Sequence, residues 1–499
     1  MNVMMLLEMS MAGFGDRTAV GRRGHDLTYL ELFERAGRAA AAFQADGVRH
    51  VAYVGTNGPA FPLAVFASAW AGASFIPMNY RMGAEQLVAL LDEHDDTLVI
   101  ADESLVGIAS SGRHPVIERE QWYAGTSEGE AAVDWGIDPE AIALLLYTSG
   151  TTSAPKAAIL RHRHLVSYVI GSVDYGGADE ADAALVSVPP YHIAGVANLL
   201  SNIYAARRLV YLDGFTPQSW LTAAREQAVT QAMVVPTMLA RIVQALGDAP
   251  DAGLPSLRSL AYGGSRMPVP VVARALQLFP STDFVNAYGL TETSSTIAVL
   301  GPDDHRAAVA SDDPADRARL GSAGRIIPGV EAEVRSFDGD VLGADETGEL
   351  WVRGEQVSGE YLSRESPLDE HGWFPTRDRA RIDAQGYLFI EGRADDTIIR
   401  GGENIAPAEI EDVLLHHPSV AEAIVVGPAD DEWGQRIAAV VVPLEGETID
   451  PDRLRDWARE RLRSSKTPDQ IVIWGEVPHT ATGKVIRREI LQRLEEGLT

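Results

Sequence analysis

The stretch HVAYVGTNGPAFPLAVFASAWAGASFIPMNYRMGAEQLVALLDEHDDTLVIA, residues 50–101, decides the architecture. HVAYVG reads as a buried strand, and an apolar helix over 60–72, a strand over 73–77, an amphipathic helix over 84–94 and a strand over 97–101 follow. This βαβα rhythm implies a parallel sheet covered on both faces, because each crossover helix must bury its apolar side against the sheet it bridges. Residues 51–80 carry no charged side chain, which raises a membrane span as the other reading. Gly55, Gly58, Pro59, Pro62 and Asn79 break the run and favour buried strand, helix and strand.

Working outward, Thr28 and Glu31 form a capping box that opens the helix LELFERAGRAAAAF, which ends at Gly47. The start, MNVMMLLEMS, lacks a basic segment and carries Glu8 inside its apolar run, so it does not read as a signal peptide. From 323 to 390 the pattern shifts to short alternating strands separated by turn residues, as in VEAEVRSFDGD and GELWVRG. After Arg393 come the polar ADDT, a strand, a Gly-Gly turn and Pro407 opening the helix AEIEDVLLHH. The reading is an α/β protein: a large domain of doubly wound sheets over 1–394, with a β-rich subdomain near 323–392, then a small α+β domain over 395–499. An Asp/Ala-rich surface loop is expected near 302–317, and no internal repeat is evident.

Among 499 residues, 71 are Asp or Glu and 42 are Lys or Arg, a net charge of −29. So acidic a chain is a poor match for a nucleic-acid backbone, which requires a basic surface. The chain has no cysteine, which excludes disulfides and thiolate chemistry and fits a cytoplasmic address. Its twelve histidines show no HExxH spacing. Only three of the 42 cations are lysine: Lys156, Lys466 and Lys484. A compact ammonium on a flexible stem reaches places that a planar guanidinium cannot occupy, so these three positions are marked for attention.

LLLYTSGTTSAPKAAIL, residues 144–160, sets Thr148, Ser149, Thr151, Thr152 and Ser153 around Gly150, after an apolar strand and before Lys156. Hydroxyls, small residues and one cation suit a phosphate cradle. The Walker pattern GxxxxGK[ST] is absent, and composition alone leaves a plain surface loop equally open.

The string YTSGTTxxPK closely resembles the signature of the adenylate-forming superfamily, which unites acyl-CoA synthetases, peptide-synthetase adenylation domains and luciferases. Further motifs of that superfamily follow in order over nearly the whole chain. The resemblance implies ATP-dependent activation of a carboxylate as an acyl-adenylate, then transfer to a thiol, with ATP, Mg²⁺ and coenzyme A as cofactors. It assigns ATP contacts to Thr148, Ser149, Gly150, Thr151, Thr152 and Lys156.

In VPPYHIAGV, His192 would gate the carboxylate pocket, lined by Ile193, Gly195, Val196 and Leu199; taken alone, His192 reads as a core histidine. AYGGSRMP would border adenine and the acyl group through Gly263 and Gly264. In NAYGLTETSS, Ala287, Tyr288 and Gly289 would meet adenine and the acyl pocket, Thr291 phosphate, and Glu292 Mg²⁺, since a carboxylate beside a triphosphate makes sense only with a bridging hard cation. In FPTRDRARID, Asp378 would accept from the ribose hydroxyls, joined by Arg393. In GRADDTIIRGGENIAPAEIE, Asp395 would be the hinge of a mobile small domain, and Arg400, Gly401 and Gly402 would line the pantetheine tunnel.

Trp433 in DEWGQR matches a position that contacts the CoA nucleotide, with a buried domain-face tryptophan as the other reading. Lys484 in PHTATGKVIRREI would reach the α-phosphate during adenylation, and Lys466 also falls at a family position. All three lysines thus sit in superfamily motifs. Ser153 and Arg377 depart from the pattern by replacing glycines, and strain follows at either position if its φ is positive.

Tyr191 and His192 replace the aspartate that anchors an amino-acid amine, so a fatty or aryl acid is the expected substrate. A dicarboxylate would require another cation, for which Arg266 is the nearest candidate. CoA is favoured as acceptor over a free-standing carrier protein, and a homodimer is compatible with the family. Two rivals remain: an adenylate passed to a carrier protein or amine, or made from another oxyanion; and a nucleotide sensor without turnover. The retention of Glu292, Asp378 and Lys484 speaks against the sensor.

Overall fold

The computed structural model describes residues 1–22, 26–148, 155–393, 396–400, 403–430, 433–480 and 485–497. The capping box forms as read: Thr28 Oγ1 accepts from Glu31 N at 3.1 Å and Glu31 Oε2 from Thr28 N at 2.7 Å, starting the helix Tyr29–Ala45. Strand His50–Val54 pairs in parallel with Ser74–Pro77 on one side and Thr97–Ala101 on the other. The helix between them, Ala60–Ala71, is buried at every residue but its last, as its lack of a polar face requires, and Gly72 ends it at φ 77°.

These strands belong to a seven-stranded sheet whose order runs Glu360–Tyr361, Lys156–Arg161, Ile142–Thr148, Ser74–Pro77, His50–Val54, Thr97–Ala101, Val116–Glu118. A nine-stranded sheet stands beside it. Its parallel centre includes Gln231–Val234, Ser259–Gly263 and Asp283–Leu290, and antiparallel strands Ser295–Leu300 and Arg325–Ile326 close one edge. One apolar core spans both sheets and takes in Phe61, Phe66, Phe75 and Leu199. The apolar chain start is part of it, as the helix Met4–Phe14 with Met4, Leu6 and Leu7 buried. No helix among the described residues is long and apolar enough to cross a membrane.

The β-rich region forms a four-stranded antiparallel sheet of Val330–Arg335, Gly348–Gly354, Phe374–Ile382 and Leu388–Arg393. The short strand Glu360–Tyr361, from the same stretch of sequence, leaves it to pair with Lys156–Arg161 in the seven-stranded sheet. The surface loop expected over 302–317 is corrected to two helices, Pro302–Ala310 and Pro314–Ala318. Proline stands at the first turn of each, Asp303 and Asp304 sit in the first turn of one, and Asp313 caps Ala315 N of the other. Asp and Ala there are helix-start and helix-forming residues.

Towards the C-terminus, helix Pro407–Leu415 packs on a three-stranded sheet of Val420–Val426, Ala438–Pro443 and Gln470–Ile473. The helix is tied down by its acidic side chains: Glu411 pairs with Arg487 at 2.6 Å and accepts from Val425 N at 2.8 Å, and Glu409 pairs with Lys466 at 2.6 Å.

Two interior histidines make the fold acid-sensitive. His162 Nδ1 accepts from Val3 N and His164 Nδ1 from Arg161 N, roles open only to a neutral ring. Burial accordingly pushes both down from 6.5 to about 4. The unfolded chain takes up these protons below 6.5 and the folded one only near 4, so stability is full above 6.5 and falls as the pH drops through that window. Urea unfolding at about pH 5 is expected to show a lower midpoint than at about pH 7.5.

Candidate active site

Two neighbouring parallel strands of the nine-stranded sheet deliver their C-terminal ends to one place, the position where parallel sheets place ligands. Strand Ser259–Gly263 ends in Gly263 and Gly264, and strand Asp283–Leu290 beside it ends in Tyr288, Gly289 and Leu290, with Gly263 opposite Ala287. Backbones approach closely here: a Cβ on Gly263 would lie 2.1 Å from Ala287 O, and one on Gly289 1.7 Å from Ser295 O. Gly264 sits at φ 90°, and a Cβ there would meet Val235 Cγ1 at 4.0 Å. Behind the turn, Tyr262 OH donates to His305 Nε2 at 2.8 Å, while His305 Nδ1 is satisfied by Gly301 O at 2.7 Å.

The next turn carries Thr291 and Glu292 on a 3₁₀ segment, Thr291–Thr293. It is fixed from several sides. Thr293 Oγ1 accepts from Leu290 N and donates to Ser295 O, Gln356 Nε2 donates to Thr293 O and Thr296 O, and Ser358 N donates to Glu292 O at 2.8 Å. Ser294 and Ser295 sit at φ 56° and 113°, conformations that non-glycine residues hold only when the surroundings impose them. Glu292 Oε1 accepts from Tyr361 OH at 2.6 Å. The Tyr361 ring lies 5.7 Å from Lys156 Nζ, at the start of the strand across from Ile142–Thr148. Thr148 Oγ1 donates to Lys156 O at 3.3 Å and closes this hairpin; residues 149–154, which include Ser149, Gly150, Thr151, Thr152 and Ser153, lie outside the described residues. A carboxylate, an ammonium and the hydroxyl of Thr148 thus stand at one mouth. Among the described residues no three metal-binding side chains cluster, so a hard cation here would be held by Glu292 and by phosphate oxygens.

Asp378 is buried at 5% exposure. Its carboxylate accepts from Tyr288 OH at 2.5 Å and from Arg393 Nη1 at 2.8 Å, and Arg393 also donates to Thr376 O. The strands place it: Asp378 faces Arg393 across Phe374–Ile382 and Leu388–Arg393. Burial and the Asp378 charge raise the Tyr288 phenol, so it stays protonated and donates. Each carboxylate oxygen keeps a further acceptor site for a ligand hydroxyl. Arg377 does adopt a positive φ, 62°, where its strand slips register by two residues against Gly348–Gly354. Its side chain points out, 3.8 Å from Glu349, so the departure from glycine costs local strain without filling the site.

His192 stands at the N-cap position of the helix Ile193–Tyr204 without a side-chain capping bond, and the helix packs on strand Ser295–Leu300 and so borders Gly289, the partner of Thr296. The close turn into this helix requires Gly195, whose Cβ would lie 2.8 Å from Pro189 O. Val196 and Leu199 are buried, Ile193 half-buried. Burial lowers His192 to about 4, so the ring is neutral at pH 7, and its Nε2 is shielded with no partner among the described residues. The Tyr191 ring packs tilted against His192, centroids 4.6 Å apart, and edge-on against Tyr80 at 5.3 Å.

The C-terminal residues divide. Asp395, Gly401, Gly402 and Lys484 lie outside the described residues. Arg400 is held by Asp469 at 2.7 Å and lies 5.1 Å over the Trp433 ring. Trp433 is 45% exposed, which corrects the buried reading and leaves a flat aromatic and cationic surface. Arg266 is engaged elsewhere: it donates to Ala408 O at 2.9 Å and pairs with Asp412, bridging the Gly264 turn to the helix Pro407–Leu415. Its guanidinium is therefore not a free anchor for a second substrate carboxylate. Tyr361 is the contact that sequence reasoning missed, because its partner lies 69 positions away and nothing local marks it.

Residues 7–362 match the AMP-binding enzyme family and residues 409–484 the AMP-binding enzyme C-terminal domain. The chain is 34% identical to a feruloyl-CoA synthase of Amycolatopsis, covering 95% of this chain and 96% of that one. It is 32% identical to an indoleacetate–CoA ligase of Aromatoleum aromaticum, covering 95% of each. The o-succinylbenzoate CoA synthetase of Bacillus subtilis, solved with its acyl-adenylate, superposes with a TM-score of 0.85 at 28% identity over 97% of both chains.

Proposed function

The chain belongs to the AMP-binding enzyme family, and on that premise we propose that it activates an aryl acid, as an aryl-acid–CoA ligase. The reaction class is that of an AMP-forming acid–thiol ligase: ATP and a carboxylate give an acyl-adenylate and pyrophosphate, and coenzyme A then takes the acyl group. The observation that carries the aryl reading is the pocket wall. A neutral His192 begins a helix whose half-buried Ile193, backed by the core residues Val196 and Leu199, offers apolar contact and no charge, and Arg266 is committed to Asp412. A flat hydrophobic ring with a single carboxylate satisfies such a wall, and a second carboxylate would be buried without a partner.

In this reading Asp378 and Arg393 hold the ribose, and Gly263, Gly264, Ala287, Tyr288 and Gly289 make the narrow bed for adenine. Thr148, Lys156 and Thr291, with residues 149–154, receive the phosphates, and Lys484 approaches the α-phosphate and the attacking carboxylate oxygen. Mg²⁺ bound at Glu292 would neutralise charge on the departing pyrophosphate. His192 stays uncharged and orients the acid. Turning about Asp395 would withdraw Lys484 and bring Arg400, Gly401, Gly402 and Trp433 to the thiol's path, so that one pocket serves two reactions in turn.

A panel of arylpropenoic, arylacetic, medium-chain fatty and dicarboxylic acids, with thioester measured as product, tests the substrate class. Arylpropenoic or arylacetic acids are expected to lead in kcat/KM by about tenfold or more, the scale on which an apolar pocket discriminates. A fatty or dicarboxylic acid in first place would overturn the aryl reading and leave the ligase chemistry standing.

A further inference from the structure

The strand Glu360–Tyr361 is stapled between two parts of the site. On one side it pairs with Lys156–Arg161, with Tyr361 opposite Ala158 and Glu360 opposite Ile159, and Leu362 N donates to Ala157 O at 2.9 Å. Glu360 grips Arg161 through two bonds, 2.9 and 2.6 Å. On the other side Ser358 N donates to Glu292 O at 2.8 Å, while Ser358 Oγ donates to Ile159 O. The side chain of Tyr361 faces both functional groups: its hydroxyl lies 2.6 Å from Glu292 Oε1, and its ring 5.7 Å from Lys156 Nζ.

We propose that Tyr361 is a positioning residue for the adenylation step, holding the Glu292 carboxylate by one oxygen so that the other is presented to a divalent cation, and keeping Lys156 beside it. An ordinary phenol is protonated at neutral pH, and its one partner oxygen in this bond is a carboxylate, so Tyr361 is the donor. A carboxylate that otherwise swings freely must lose that freedom each time it takes a metal; the hydroxyl has already removed it. The ring face adds a weak cation–π attraction that draws the ammonium to the same mouth. Because strand pairing and the Glu360–Arg161 fork fix the Tyr361 backbone, removal of the hydroxyl alone leaves the strand in place.

This rests on the adenylation reading, and the test separates the two. Binding of a non-hydrolysable ATP analogue is measured by calorimetry with Mg²⁺ and with EDTA, for the wild type, Tyr361→Phe, Glu292→Gln and the double variant, with thermal unfolding as a check on folding. In the wild type Mg²⁺ is expected to strengthen binding. Tyr361→Phe should bind the metal-free analogue like the wild type, lose roughly tenfold of the Mg²⁺-dependent gain, and require a correspondingly higher Mg²⁺ concentration for half-maximal binding. Glu292→Gln should lose the gain, and adding Tyr361→Phe to it should cost nothing more. An unchanged Mg²⁺ dependence in Tyr361→Phe, or an equal loss with and without Mg²⁺, overturns the positioning role. A wild type whose nucleotide binding ignores Mg²⁺ overturns the adenylation reading itself.

Discussion

Replacing Asp378 with alanine is expected to lower kcat/KM for ATP by roughly 10²–10³-fold, the loss of two charge-assisted hydrogen bonds to a ligand. The carboxylate is buried and already joins Tyr288 OH and Arg393 Nη1, so its position is set before any nucleotide arrives. Preorganised acceptors cost nothing to arrange at the moment of binding, which is why their loss falls mainly on the ATP KM. The same change leaves a phenol and a guanidinium without their acceptor. Stability should fall by about 2–3 kcal/mol, the low end for a broken buried pair because Arg393 keeps partial contact with water. Asp378→Asn preserves the shape but puts a donor where acceptors are required, so it should lie between. Steady-state kinetics against ATP and urea unfolding check the two effects, and an unchanged ATP KM would remove Asp378 from the nucleotide site.

The second large effect is expected at Lys484. Lys484→Ala should slow acid-dependent pyrophosphate release by about 10²–10³-fold, the usual cost of removing one preorganised group that stabilises transition-state charge. Thioester formation from a supplied acyl-adenylate and CoA should be nearly retained, as follows from the proposal that the lysine serves the first half-reaction alone. Residues 481–484 lie outside the described residues; on either side of them His479 bridges Val485, and Ile486 N donates to Pro478 O at 2.9 Å. Arg487, just beyond, is anchored to Glu411 and Val425 O. Equal loss of both half-reactions would contradict the division of labour.

What the sequence revealed and what it hid follow from the range of the forces involved. The parallel strands at 50–54, 74–77 and 97–101 were readable because short apolar runs between helices report burial directly. The Thr28 capping box was readable because it is a local bond. The helices over 302–318 were missed because Asp beside Ala suggests a polar loop until the prolines are taken as helix starts. Arg377 could be flagged as a non-glycine at a glycine position, but only the structure fixes its φ at 62°.

At the site, Glu292, Asp378 and Arg393 were reached through motif resemblance, whereas Tyr361 and the Arg266–Asp412 bridge join segments far apart in the chain. No local pattern encodes such contacts. The exposed Trp433 illustrates the same limit, since a tryptophan's burial depends on whether another surface covers it.

Exchange of labelled pyrophosphate into ATP, measured with an aryl acid and Mg²⁺ in the absence of coenzyme A, tests the central claim most directly. Acid-dependent exchange, followed by stoichiometric AMP and thioester on addition of CoA, is the predicted result. No exchange with any acid, from protein that binds ATP, would contradict carboxylate adenylation by this chain.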